Sequence, residues 1–576
     1  MNHPDAYSPH KNSSPAREWL LAVLSSLGVA LAIVAPFFWL ANPSGHDIAF
    51  HASSWLDAAA QWKEGILFPR WTEWANYGYG EPRFIFYPPI SWILGGALIT
   101  LLPIKAVVGT YVVLAQTLAG TSAYALVRKF ASRGAALAGA ACFAANPDAL
   151  LVIYVRSDYA ELLAIAFYPL LILATLQLCG LFAKQGTKDV KYVMCFALTF
   201  AAIWLTNAPA AVIASYSAVL LLAWAAVAQR SWKPAVRGAA GIGLGLGLAA
   251  FYWIPAAYEQ RWVKITQALS TGLAPRENFL FTTIADADHN HFNRVASAMA
   301  LLTMFFIVVF ALRAWQKIRA AREFAIDAEL RKLWMLLVLL AAAASLLMVK
   351  ITLPLWAILP KLRFVQFPWR WMSMLAVVFS AFAAWGLTRQ KRSWLWLGAV
   401  FVLLAGSAVY LGKNTWWDAD DFPSMQYEVQ LGHGFEGTDE YDPLGDDHLD
   451  LAKEQPRARF VDGVPDSDRA QITVRVWTAE RRLLDVQTQQ PERLALRLLD
   501  YPAWRVTVNG EPIQPGHLHG VRAIVVPLPA GHSVVRATFT RTMDRTIGGL
   551  VSTASLLILG FLWFRLSIGS AATHRT

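Results

Sequence analysis

Residues 88–103 read P-P-I-S-W-I-L-G-G-A-L-I-T-L-L-P, and the threading of the whole chain turns on them. They are apolar but shorter than the roughly 20 residues a helix needs to cross a bilayer, and prolines bound them. Twelve other segments approach the required length. They lie near 19–40, 105–127, 134–147, 159–182, 190–206, 208–228, 236–257, 294–314, 333–349, 369–388, 393–411 and 547–566. If 88–103 also crosses, Arg128, Lys129 and Arg133 fall outside. So do Lys184, Lys188 and Lys191, and then Arg230, Lys233 and Arg237. If it lies along the outer face or dips into it, all these loops fall inside, with Lys317 to Lys332 and Arg389, Lys391 and Arg392. Cytoplasmic loops favour Lys and Arg, so the second reading repairs every loop at once. It predicts twelve spans, with both termini in the cytoplasm. Lys11 and Arg17, just before the first span, agree.

The composition fits a polytopic membrane protein. Of 576 residues 56% are apolar and only 15% charged, outside the range of ordinary soluble domains. The formal charge of +11 gathers in short loops between apolar spans, so it does not imply nucleic acid. Cys142, Cys179 and Cys195 fall in apolar spans and offer neither a disulfide framework nor a CxxC metal pair. The segment 19–40 is too long for a signal-peptide core and lacks a clear A-x-A site.

The threading predicts a short cytoplasmic tail, residues 1–18, and a transmembrane domain over 19–411. Outside the membrane lie 42–104, Tyr154 to Glu161, Thr206 to Pro209, 258–293, 350–368 and 412–546. The last of these is acidic up to about residue 454. From Gln471 it alternates apolar and polar residues, as in Q-I-T-V-R-V-W and V-V-R-A-T-F, the period of half-buried strands. Asn509-Gly510 marks a tight hairpin turn. The fold class is thus a polytopic all-α membrane protein of about 12 transmembrane helices. It carries an external antiparallel β-sandwich from about residue 456, and 547–576 form the last helix and a cytoplasmic tail.

Polar chemistry concentrates in the external segments. The stretch 42–89 is dense in aromatic and charged side chains, among them His46, Asp47, Arg83 and Tyr87. Asp47 suits either a cap at the membrane interface or a general base within reach of a hydroxyl; position leaves these even. His46 beside it is either an orienting group or an interfacial histidine. In Y-V-R-S-D-Y-A-E, residues 154–161, Arg156, Asp158 and Glu161 enter a span from the outer side. Asp158 and Glu161 share a helix face, so the group is a self-contained ion pair or a site. In K-L-R-F-V-Q-F-P-W-R-W, residues 361–371, Lys361, Arg363 and Arg370 lie where excess positive charge is unexpected. They suit a phosphate, of a substrate or of a lipid headgroup. The run D-A-D-H-N-H, 286–291, has metal-type side chains but no recognised spacing, and Asp418 to Asp450 reads as a solvated acidic surface. No metal site is assigned, although a divalent cation remains open.

Six motifs in order carry a resemblance: G-H-D (45–47), P-R-F-I-F-Y-P-P (82–89), Y-V-R-S-D-Y-A-E, Q-F-P-W-R-W (366–371), E-G-T-D-E-Y-D-P (436–443) and Y-P-A-W-R-V-T-V-N-G (501–510). Together the chain resembles bacterial integral membrane proteins of the GT-C glycosyltransferase superfamily. It is most similar to the subgroup called 6-pyruvoyl-tetrahydropterin synthase-related domain; membrane protein, and to YfhO-type proteins. That label does not imply pterin chemistry, because no histidine zinc site is present. The resemblance implies a polyprenyl-phosphate-linked sugar donor, a glycan, lipid or protein acceptor, membrane lipids as surroundings, and an active site on the periplasmic face of the bacterial inner membrane. It also implies an acidic residue in the first external loop, which maps onto Asp47. Where many members carry paired acids, this chain has H-D. On that reading Asp47 is catalytic. Arg156, Arg363 and Arg370 bind the donor phosphate, and His46, Arg83, Tyr87, Asp158 and Glu161 shape the substrate site. The outcome is a single inverting displacement. Two other classes stay open: a flippase for a lipid-linked sugar, and a non-catalytic envelope assembly protein.

Overall fold

A computed structural model describes residues 14–183, 189–320, 324–387, 393–445, 451, 454–461, 470–518 and 520–573. The tail to residue 13 with Lys11, the loop residues Lys184, Lys188, Arg389, Lys391 and Arg392, and the end of the acidic run from Asp446 lie outside the described residues.

Nine helices among the described residues are long and apolar enough to cross a membrane, and a bent pair makes a tenth. They include α1 (Pro15–Leu40), α4 (Ile104–Val127), α5 (Arg133–Arg156) and α6 (Tyr159–Leu178). The bent pair is Lys233–Leu248 followed by Ala250–Trp262, turned by 75°, with Pro255 inside its second half. Two further helices, Asp189–Trp204 and Met372–Leu387, have 16 residues each, or roughly 24 Å, and lie where two more spans are expected, shorter than the helices counted above. The chain is therefore a polytopic helical membrane protein.

Helix α3 (Pro89–Leu101) has 13 residues, roughly 20 Å, short of a bilayer core of roughly 30 Å. Pro88 and Pro89 start it, and Pro103 lies just past its end. It packs on α2 (Ile48–Lys63), where Gly95 lies flat against the Trp55 indole.

The segment expected at 134–147 is longer in the structure. The first helix ends at Ala144; Asn146 then caps the Ala149 N–H at 3.0 Å and Pro147 takes the first position of a second helix, which carries the segment on. It closes in a π turn at Val152–Arg156, a distortion that often marks function. Ser157 then adopts a left-handed conformation, φ 54°, and Asp158 caps α6 by accepting the Glu161 N–H at 3.0 Å. This tight reversal places Arg156, Asp158 and Glu161 together.

Strand β1 (Asn42–Pro43) pairs antiparallel with β2 (Trp417–Asp418), which pins the start of the polar loop to the end of a distant span. Nine later strands form two antiparallel sheets, as the alternation predicts. The first holds β3 (Ala458–Phe460), β6 (Glu492–Leu499), β10 (Ala523–Leu528) and β9 (Gly516–His517), in the order β3-β6-β10-β9. The second holds β4 (Ala470–Thr478), β5 (Arg481–Thr488), β11 (Gly531–Phe539), β7 (Trp504–Val508) and β8 (Glu511–Ile513), in the order β4-β5-β11-β7-β8. Asn509 and Gly510 turn β7 into β8 with φ of 52° and 90°, the double positive φ of a tight hairpin.

The sheets do not close their core alone. Trp71, Tyr79, Ile85 and Phe86 from the 42–89 stretch join Leu484, Leu496, Val506, Val526 and Val535 in one apolar cluster. The Trp71 ring lies 5.5 Å from that of Trp504, and Tyr79 O accepts the Leu499 N–H at 3.0 Å. Below the sheets, buried Glu259 receives both Arg545 nitrogens, at 2.7 and 2.8 Å, and the Tyr501 hydroxyl at 2.5 Å. The polar loop is thus clamped between sheets and helices.

Candidate active site

Gly45, His46 and Asp47 dock on the reversal at 155–158. Gly45 N donates to Ser157 Oγ at 3.0 Å, Ser157 Oγ donates to Pro43 O at 3.0 Å, and Asp47 N donates to Arg156 O at 2.8 Å. A Cβ on Gly45 would lie 2.3 Å from Val155 O, closer than any real contact, so only glycine allows this approach. Gly45→Ala is expected to lift the loop off the reversal and to abolish most activity while the sheets stay folded. Loss of activity with unchanged protease resistance of the 412–546 region is the check; full activity would mean that the docking is dispensable.

Asp47 opens α2 and meets Arg156 at 2.7 Å. Arg156 also reaches Glu161 at 2.6 Å and Asp158 at 3.2 Å. Arg370 bridges the latter two from the other side, at 2.9 Å to Glu161 and 3.3 Å to Asp158, and donates to Val365 O and Gln366 Oε1 at 2.9 and 3.2 Å. Gln366 stands at φ 64°, a left-handed position that orders the turn before Pro368. Both guanidiniums sit near the Phe367 ring, Arg156 at 5.3 Å and Arg370 at 4.8 Å. Two cations thus face three carboxylates. Asp47 is the outermost, its side chain 34% exposed against 7% for Asp158 and 2% for Glu161. It alone meets solvent well enough to serve a substrate hydroxyl.

His51 lies one helical turn beyond Asp47. Its Nε2 accepts the Tyr159 N–H at 3.1 Å, so it does not donate to Asp158 Oδ1, 3.5 Å away. Tyr87 covers this face, 4.5 Å from the Phe50 ring and 6.2 Å from His51. Burial, with Asp158 next, pushes its hydroxyl well above the usual tyrosine pKa. Tyr87 is therefore a neutral hydroxyl at the rim.

Beside the network runs a groove of about 610 Å³ between helices Ala287–Ala320 and Ser393–Lys413. Val295, Met299, Leu302, Phe306, Val402 and Leu403 make it apolar, while His291 and Arg294 stand at one end. Phe292, between those two in sequence, lies 5.6 Å from the His46 ring and 5.4 Å from Trp369, which in turn lies 5.3 Å from the Arg156 guanidinium. The helix that lines the groove thus also packs on His46, the neighbour of Asp47. Arg294 is exposed, and its Nε donates to Asn290 O at 3.2 Å.

Other predicted residues stand elsewhere. Arg363 is exposed, 5.1 Å from the Phe364 ring and outside the ion network. Arg83 is buried and bonded to Glu81 at 2.6 Å, to Ser53 and Ser54 at 2.6 and 3.0 Å, and to Thr438 at 3.0 Å. It fastens the loop to the 435–442 segment instead of presenting donors to a substrate. Within 286–291, Asp286 accepts the Asp288 and His289 N–H groups as a helix cap, and His289 Nε2 lies 3.2 Å from Glu277 O. No group of three or more His, Cys, Asp or Glu among the described residues could hold a metal ion.

A model of the family described as 6-pyruvoyl-tetrahydropterin synthase related domain; membrane protein matches residues 84–412, more than half of the chain. The chain belongs to this family. The matched region contains Arg156, Asp158, Glu161, Arg370 and the groove, whereas Asp47 precedes it. Comparison with curated proteins found no match. Among solved structures, the chain is similar to ArnT from Cupriavidus metallidurans bound to undecaprenyl phosphate, at 11% identity and a TM-score of 0.43, over 73% of this chain and 72% of that one. It is also similar to the Archaeoglobus fulgidus oligosaccharyltransferase, at 15% identity and a TM-score of 0.39, over 72% of this chain. It spans only 56% of that enzyme's length. A third is the mycobacterial arabinofuranosyltransferase AftD, at 14% identity and a TM-score of 0.43, over 92% of this chain and 42% of that one.

Several residues of this family member's site were not singled out from the sequence. His51 was signalled by its i+4 spacing from Asp47. Buried Asp148, both of whose oxygens lack a partner among the described residues, was signalled as a charge in an apolar span. Gln366, Phe292 and Arg294 carried no signal stronger than their neighbours.

Proposed function

We propose that the protein is an inverting glycosyltransferase of the bacterial inner membrane, using a polyprenyl-phosphate-linked sugar and a glycan, lipid or protein acceptor on the periplasmic face. The observation that supports this reading is the ion network that holds the partly exposed carboxylate of Asp47 beside Arg156, with Phe292, of the helix that also lines the apolar groove, packed on the adjacent His46. The prenyl chain lies in the groove and Arg294 meets the donor phosphate at its end. Asp47 takes the proton of the acceptor hydroxyl. The acceptor oxygen bonds to the anomeric carbon as the bond from that carbon to the phosphate oxygen breaks, and polyprenyl phosphate leaves. One displacement inverts the centre. Arg156 holds Asp47 in place, and Arg370 holds the carboxylates that hold Arg156. Arg363 is kept as a second, outer contact for the phosphate.

The test is release of polyprenyl phosphate from a lipid-linked sugar by the purified protein. Arg294→Ala is expected to raise the donor KM roughly tenfold or more, the loss of one charge-assisted contact to phosphate. An unchanged KM would move the phosphate elsewhere. No release by wild type across a panel of lipid-linked sugars would favour the flippase reading, which needs no bond cleavage.

The orientation has its own check. With α3 on the outer face, a cysteine placed at Ser132 faces the cytoplasm. Labelling by a membrane-impermeant reagent from outside intact cells would reject the twelve-span threading.

A further inference from the structure

At His51 a single ring nitrogen faces both a donor and an acceptor. The ring lies on α2 and is buried, at 1% exposure. Its Nε2 accepts the Tyr159 N–H at 3.1 Å, and the same nitrogen lies 3.5 Å from Asp158 Oδ1. An imidazole nitrogen that accepts carries no proton, so the neutral ring holds its hydrogen on Nδ1. Nδ1 is buried and has no hydrogen-bond partner among the described residues. An unanswered buried donor is costly, so packing alone does not account for a histidine here. The rings of Tyr159, Trp55, Phe50 and Tyr87 lie 5.4, 5.7, 5.8 and 6.2 Å away. The ionisable groups that face it are Asp47 from its own helix, Asp158 and Tyr159 from the reversal, and Tyr87 from the loop. Arg156 and Arg370 stand behind Asp158, at 3.2 and 3.3 Å. Tyr111 of α4, 5.8 Å from the Tyr159 ring, donates to Ser91 Oγ at 3.0 Å, and Asp421 lies near Tyr159.

We propose that His51 is a positioning residue whose proton sets how the reversal holds Asp47, a role that rests on Asp47 being the base. Two contacts four residues apart tie α2 to the reversal. One runs from the Asp47 N–H to Arg156 O at 2.8 Å, the other from the Tyr159 N–H to His51 Nε2. They straddle Ser157 and Asp158, so the neutral ring fixes the backbone that brings Arg156 to Asp47. When His51 takes a proton, both ring nitrogens become donors. Nε2 then releases the Tyr159 N–H and donates to Asp158 Oδ1. The freed N–H keeps Ser157 O at 3.2 Å, so the change strands no donor. Asp158, now shared with a third cation, holds Arg156 less strongly, and Arg156 turns more of its charge to Asp47. A carboxylate held harder by a cation is a weaker base, so transfer falls as His51 protonates.

Two variants of the purified full chain separate this role from packing. His51→Gln supplies an amide oxygen that can accept the Tyr159 N–H but takes no proton, and His51→Leu supplies neither. Release of polyprenyl phosphate is measured from about pH 5 to 9, the range in which histidine titrates and beyond. His51→Leu is expected to lower kcat roughly tenfold or more with the donor KM unchanged, the signature of a misplaced base. His51→Gln is expected to recover most of that loss and to move the acidic limb of the profile to lower pH. An acidic limb that stays where it is in His51→Gln, or a His51→Leu protein as active as wild type, would overturn the proposal. Should His51→Leu not fold, the His51→Gln profile decides. A second measurement needs no turnover. In nitrogen NMR of the histidine-labelled full chain, the ring signals missing from His51→Gln belong to His51. They are expected to show a neutral ring with its proton on Nδ1 at about pH 8 and a cation in acid. A neutral ring with its proton on Nε2, or one that never takes a second proton, would overturn the proposal while leaving the transfer reading untouched. Absence of release by wild type would instead count against the transfer reading, and the ring signals alone would then decide the role of His51.

Discussion

Asp47→Asn is expected to fold as wild type does and to release polyprenyl phosphate at least roughly 100-fold more slowly, the usual loss on removing one general base. The amide keeps the size of the carboxylate, and its oxygen can still accept from Arg156 Nη2 at the 2.7 Å position. Arg156 keeps Asp158 and Glu161, so no buried cation is stranded. The side chain is a third exposed, and the network loses one of three negative charges opposed to two positive ones. Stability should therefore fall by no more than about 1.5–3 kcal/mol, the value of one hydrogen bond to a charged group, and by less where solvent screens the pair. What is lost is basicity. The acceptor hydroxyl must then surrender its proton to water, so kcat falls while the donor KM changes little. A thermal melt close to wild type together with the drop in kcat is the expected pair of results. Normal release by Asp47→Asn would remove Asp47 as the base.

Much of this arrangement was legible before any coordinates, and the exceptions have physical causes. Charge parity singled out 88–103 as the segment not expected to cross, and its helix of 13 residues is shorter than a bilayer core requires. Strand alternation located the sheets, because a period of two survives in sequence whichever face is buried. The convergence of Asp47, Arg156, Asp158, Glu161 and Arg370 was only partly visible. Three of the five share one octapeptide, whereas Arg370 arrives from 209 positions beyond Glu161. Spacing carries no information over that range. The same limit explains Arg83. A cation in an aromatic loop suggests substrate contact, but its partners Ser53, Ser54 and Thr438 reach it from a helix and from a segment some 355 positions away. Nor could the sequence reveal the groove, since its lining is ordinary apolar helix until two helices are seen to face each other across it. Pattern finds elements whose rules are local; a site assembled from four segments is fixed only by packing.

Arg370→Ala is expected to be the most destabilising single change in the network, at about 3–5 kcal/mol, and to abolish transfer as a consequence. Arg370 is buried at 4% exposure and donates to four acceptors: Glu161, Asp158, Val365 O and Gln366 Oε1. Truncation leaves one cation, Arg156, against Asp47, Asp158 and Glu161. Breaking a buried ion network by removing one partner costs that much because charges stay buried without compensation. The loss also frees the 365–370 turn, whose residue 366 is held in a left-handed conformation with its side chain on Arg370. Arg370→Lys should recover part of the stability, since a point charge can meet Glu161 but cannot also reach Asp158, Val365 O and Gln366 as the planar fork does. Glu161→Gln is the informative second change. Alone it removes a charge from the side with the excess and should cost less than Arg370→Ala. Combined with Arg370→Ala it relieves one of the stranded carboxylates, so the double variant should be more stable than the two separate losses added together. Thermal unfolding of the three variants in detergent, with donor binding measured on those that fold, reads these differences. Strictly additive losses, or an Arg370→Ala protein as stable as wild type, would show that the five side chains do not act as one network. Asp47 would then owe its position to the backbone contacts of 43–47 with the reversal.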